Sequence, residues 1–86
     1  MPPKPLTMEI LVAHFGLSPN CFDVTSRIKQ DVVSGNLNKV YTVHDLGDPV
    51  PKKHKELTII YSHNGKIITK IFKEGTAAGP MAVELP

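Results

Sequence analysis

Blocks of alternating or fully apolar residues, each short enough to be a strand, make up most of this chain. Met8-Glu9-Ile10-Leu11-Val12-Ala13-His14-Phe15 is apolar at both parities, as in a strand covered on both faces. Gly16 ends it, and Ser18-Pro19-Asn20 reads as a turn. From Asp23 to Gly35 the period changes. Val24, Ile28 and Val32 recur every fourth residue, with Arg27, Lys29, Gln30 and Asp31 on the other side. That is a short amphipathic helix, with Asp23 or Thr25 to cap its start and Gly35 suited to its end. Its two late valines weaken it, so it needs a sheet to lie on.

Lys39-Val40-Tyr41-Thr42-Val43-His44 alternates again and predicts a second strand. Residues 45–55 carry Gly47, Pro49 and Pro51, which punctuate a loop. The sharpest signal follows. Glu56 to His63 and Lys66 to Lys73 are β-rich runs around Asn64-Gly65, the pair that a two-residue type I′ hairpin demands. That register sets His63 opposite Lys66, Tyr61 opposite Ile68, Leu57 opposite Phe72 and Glu56 opposite Lys73. Residues 75–80 form a loop, and Met81 to Leu85 a last short strand. The proline-bearing residues 1–7 read as a flexible lead-in to a single domain over 8–86. The order of elements predicts an α+β domain: a mainly antiparallel, curved sheet of four to five strands with one short helix packed on it, such as a β-grasp-like roll.

Composition narrows the function classes. With 86 residues, 41% hydrophobic, the chain can bury only about 60% of its unfolded surface, so the core is thin. A net charge of +2 is too small to force a nucleic-acid or membrane reading, and nucleic acid is not an expected partner. No run approaches the ~18 apolar residues of a membrane span, and no signal peptide is evident. A cytoplasmic location is therefore expected. One cysteine, Cys21, excludes an internal disulfide framework.

The series Ala13-His14-Phe15-Gly16, Asp23-Val24-Thr25, Leu46-Gly47-Asp48-Pro49, Lys55-Glu56-Leu57, Tyr61, Asn64-Gly65, Glu74-Gly75 and Leu85-Pro86 resembles a known pattern. It is similar to the small domain at the C-terminus of mitochondrial DnaJ-like proteins, a module found in other bacterial and fungal proteins too. The resemblance spans residues 10–86 and rests on the order of motifs that are individually weak. It implies a compact β-rich module used beside other domains, with no catalytic residues to carry over. On this reading residues 10–86 would be that module standing alone, a departure from its usual setting.

The candidate chemistry is sparse. His14, His44, His54 and His63 fall into no metal-ligand spacing, and His63 beside the hairpin turn reads as solvated. Cys21 has no orienting partner pattern for nucleophilic catalysis and reads as a small buried thiol. Asp45 and Asp48 flank Gly47 but fall short of the six to eight oxygens that Ca²⁺ takes, and read as caps on their own turn. Lys52, Lys53, His54 and Lys55 form the one basic run, at a loop tip. Phe15, Phe22, Tyr41, Tyr61 and Phe72 mostly occupy core-facing positions, which leaves no stacking platform beside that run.

These residues point to a non-catalytic binding module without metal or cofactor. It would present residues 45–55, the tip at 64–65 and an open strand edge to a protein partner or to a second copy of itself. The candidate contacts are Asp45, Asp48, Lys52, Lys53, His54, Lys55, His63, Asn64 and Lys66. Two other readings stay open. A glycan-binding, lectin-like protein could use the same aspartates, Asn64 and the tyrosines, although no tryptophan is present for sugar stacking. An enzyme inhibitor could present the loop stiffened by Pro49 and Pro51.

Overall fold

A computed structural model describes residues 8–76 and 79–85. The expected lead-in over 1–7 and two residues of the 75–80 loop lie outside this range. Six strands and two short helices follow in the order β1 (Met8–Leu17), β2 (Asn20–Asp23), α1 (Thr25–Asp31), β3 (Leu37–Tyr41), α2 (Val43–Leu46), β4 (Glu56–His63), β5 (Lys66–Lys73) and β6 (Met81–Leu85). Strands β2-β1-β4-β5 form one antiparallel sheet, and β3 pairs antiparallel with β6 in a second. The α+β class and the antiparallel sheet are as the pattern predicts.

β1 is apolar at both parities for a different reason than two covered faces. Its register against β4 slips by one residue at Leu11, between Ile10 and Val12. A β-bulge of this kind switches which parity faces inward. Met8 and Ile10 are buried before it and Ala13 and Phe15 after it, while Leu11 and His14 are exposed. The slip also frees backbone groups at Ala13 that α1 takes up. Ala13 N–H donates to Thr25 Oγ1 at 2.9 Å, and Val24 N–H donates to Ala13 C=O at 2.9 Å. The helix is thus hydrogen-bonded to the sheet as well as packed on it, with Val24 and Ile28 in the core and Val32 against it.

The helix is shorter than its pattern. It ends at Asp31, with Val32 already extended. Gly35 serves a tight turn from Val33 to Asn36 instead, with Ser34 and Gly35 both at positive φ. β2 escaped the sequence reading because all four of its residues are exposed and show no apolar alternation. The expected strand over 39–44 is also corrected. β3 starts earlier and stops at Tyr41, and residues 43–46 make a helical turn. Thr42 and Asp45 form a capping box there: Thr42 Oγ1 accepts from His44 N–H, and Asp45 Oδ2 accepts from Thr42 N–H at 3.0 Å.

The β4–β5 hairpin has the predicted register, with Asn64 at φ 54° and Gly65 at φ 80° in the turn. Ile59, Leu57 and Tyr61 of β4 join Phe15, Ile28, Leu37, Tyr41, Met81, Val83 and Leu85 in one core. No described helix is long and apolar enough to cross a membrane.

Candidate functional site

The 47–55 segment is a loop held from beneath. Lys55, the last residue before β4, is fully buried, where a solvated loop residue was expected. Its ammonium lies 2.9 Å from Asp48 Oδ1 and 3.3 Å from Glu74 Oε1. It also donates to the carbonyls of Lys53 at 2.8 Å and Val50 at 3.2 Å. Glu74 is buried too, and accepts from Lys55 N–H at 2.8 Å while its own N–H donates to Lys55 C=O at 3.0 Å. Two carboxylates and two carbonyls, three from the loop itself and one from Glu74 after β5, therefore converge on one ammonium. Burial by itself would push the Lys55 amine down. The hydrogen bonds to Asp48 and Glu74 and their charges outweigh it, so its pKa is raised and the group stays cationic.

The near side of the loop docks on bare backbone. A side chain at Gly16 would collide with the Asn20 carbonyl and come within 3.0 Å of the Pro49 ring. One at Gly47 would come within 2.7 Å of the Phe22 ring. Pro49 thus sits over Gly16, and half-exposed Phe22 lies on Gly47. With both ends fixed, Pro51, Lys52, Lys53 and His54 project into solvent, Lys52 at φ 66°.

The candidate contacts do not form one cluster. Lys52, Lys53 and His54 are exposed at this loop, and Lys55 lies under it. Asp48 is an anchor rather than a turn cap. Asp45 sits on α2, accepting from Thr42 and lying 3.3 Å from Arg27 Nη2. His63, Asn64 and Lys66 lie at the far end of β4, about 25 Å away along a strand of this length at ~3.4 Å per residue. His63 is half-buried, Asn64 and Lys66 exposed. Cys21 is exposed, contrary to a buried thiol, and Phe22 is the aromatic that leaves the core, at 45% exposure. Among the described residues, no three His, Cys, Asp or Glu side chains converge as a metal site would require.

A second polar cluster joins α1 to β3 and α2. Tyr41 donates to Asp31 Oδ2 at 2.6 Å, Arg27 Nε lies 3.1 Å from the same oxygen, and Lys39 lies 3.4 Å from Asp31 Oδ1. Burial, then the bond to Asp31, hold the Tyr41 hydroxyl far above the usual phenol range.

Glu74 was missed from sequence although a signal existed. The hairpin register that pairs Glu56 with Lys73 places Lys55 opposite Glu74 when extended by one pair. Two aromatic-free positions were missed as well: Ile67 and Ile71 of β5 are 66% and 55% exposed. Comparison with protein families, with characterised proteins and with solved structures finds no match to this chain.

Proposed function

We propose that this chain is a non-catalytic interaction module that offers the 47–55 loop, together with an open strand edge, to a protein partner. One observation carries the reading: a buried Lys55–Asp48–Glu74 cluster fixes the shape of a loop whose tip is exposed and basic. A buried ion cluster adds little stability over apolar packing of the same volume, and its better use is to specify one conformation. A pre-shaped loop loses less entropy on binding than a mobile one. Lys52 and Lys53, the exposed charges at the tip, suit an acidic surface.

The glycan reading has less to work with. Asp45 and Asp48 are engaged within the fold, and Tyr41 and Tyr61 are buried. The resemblance to the C-terminal module of mitochondrial DnaJ-like proteins agrees with a module that works through contacts rather than chemistry.

The test is a pull-down from native extract with tagged chain, before and after enzymatic deglycosylation of the extract. The expected result is a defined protein that survives deglycosylation and is lost with the double substitution Lys52→Glu, Lys53→Glu. Material that vanishes on deglycosylation would make the protein a lectin instead.

A further inference from the structure

The outer edge of β5 has a chemistry that selects its occupant. In an antiparallel ladder, opposed residues alternate between pairs that exchange both backbone hydrogen bonds and pairs that exchange none. Glu74 N–H donates to Lys55 C=O, which puts these two residues in the bonded phase, while Lys55 N–H goes to the Glu74 carboxylate instead. Counting along the register, Phe72–Leu57, Lys70–Ile59, Ile68–Tyr61 and Lys66–His63 are bonded pairs too. A two-residue turn after His63 requires the same phase. The N–H and C=O groups of Ile67, Thr69, Ile71 and Lys73 therefore point away from β4. Among the described residues no other strand takes them: β5 is the last strand in its sheet, and β6 belongs to the second sheet, paired with β3.

Side chains at these same positions share the outer face of the sheet with Leu11, Val12 and Ile60, and Ile67, Thr69 and Ile71 are exposed. On the opposite face Lys66 and Lys70 are exposed and, among the described residues, take part in no ion pair. β5 carries three lysines and no acidic residue. An apolar, hydrogen-bonding edge alternating with cations calls for a strand of the opposite charge pattern.

We infer that the free edge of β5 receives an extended acidic segment of a partner protein as an added strand. Its apolar residues lie beside Ile67, Thr69 and Ile71, and its carboxylates beside Lys66 and Lys70. This rests on the module reading above and names the partner's chemistry. A second copy is the weaker occupant. Antiparallel self-pairing centred on Ile68 sets Lys66 opposite Lys70, and centring on Lys70 sets Lys70 opposite itself. Centring on Thr69 sets Lys70 opposite Ile68, with Lys66 and Lys70 of the other strand as its diagonal neighbours.

The probe is a labelled peptide of about eight residues alternating valine and glutamate, titrated into the full chain by fluorescence anisotropy. Alternation serves either strand direction. The expected result is saturable binding that weakens with added salt and is absent for a valine–lysine peptide. Thr69→Pro removes an N–H that the β4 ladder does not use, and proline is tolerated at such edge positions. It should weaken binding at least tenfold while far-UV circular dichroism stays unchanged, and Lys70→Glu should do the same. Peptide should also slow hydrogen exchange at the amides of Ile67, Thr69 and Ile71 in the wild-type chain, a readout that needs no variant. Absence of binding, or binding that survives Thr69→Pro, overturns the proposal. So does sedimentation of the wild type as a dimer that Thr69→Pro dissociates, which would make a second copy the occupant. An extract partner lost with the loop substitutions but kept by Thr69→Pro would leave the module reading standing without the edge.

Discussion

Lys55 is the residue on which the loop turns. Removing its ammonium leaves the buried Glu74 carboxylate, and the partly exposed Asp48 carboxylate, with no compensating charge. Lys55→Met should cost about 3–5 kcal/mol in urea unfolding, far beyond the loss of one surface ion pair. Asp31 offers a test through pH. Burial opposes its ionisation, but the Tyr41 hydrogen bond, the Arg27 hydrogen bond and the charges of Lys39 and Arg27 outweigh that and hold it below the usual carboxylate range. Its contribution is present in full above the unfolded carboxylate's pKa, about 4, and is lost as pH falls through the lower folded value. Asp31→Asn should therefore shrink the difference in urea midpoint between pH 6 and pH 3 relative to the wild type. Neither residue's role was legible locally. A lysine's burial here depends on a glutamate across the hairpin and an aspartate across a loop, and Asp31 depends on a tyrosine from another strand.

At the scale of elements, the turns differ in what they tolerate. Gly65 sits at φ 80° with open space around it, so Gly65→Ala should cost only the backbone penalty of about 1–2 kcal/mol. Gly16 sits at φ 147°, and a Cβ there meets the Asn20 carbonyl and comes within 2.9 Å of Cys21 Cα. Gly16→Ala should lower the thermal midpoint by clearly more than Gly65→Ala. The hairpin was readable because turn chemistry and alternation agree, and the helix face because its period is carried by Val24 and Ile28 in the core and Val32 packed against it. The segment at 39–46 misled because alternation runs on through Thr42-Val43-His44, while the Thr42–Asp45 capping box lay unread within it. β1 misled because a bulge looks, in sequence, like a strand covered on both sides. β2 had no apolar pattern to find.

Across the whole molecule, the strand order β2-β1-β4-β5 places residues from the two halves of the chain side by side at the centre. The second sheet closes over them through β6, whose Met81, Val83 and Leu85 are buried in the shared core. A chain ending at residue 80 would lose those three side chains and the partner of β3 together. It should show no cooperative thermal transition by circular dichroism and collapsed amide dispersion by NMR, where a merely decorative last strand would leave both intact. The sequence pattern reached this level only in part. It supplied β1, the main sheet's hairpin and the last strand, but pairing between β3 and β6 joins segments more than about forty residues apart, which no local period encodes.

The cage around Lys55 also decides which amines of this protein chemistry can reach. Lys52, Lys53, Lys66, Lys70 and Lys73 stand in solvent, whereas the Lys55 side chain has none of its surface accessible. An acylating reagent should label the exposed amines promptly and Lys55 at the rate at which the loop opens. Once acylated, that nitrogen carries no charge to set against Asp48 and Glu74, and the loop cannot close as before. The buried lysine makes the loop a one-way latch: closed, it shields its own fastening, and a single modification caught during opening keeps it undone.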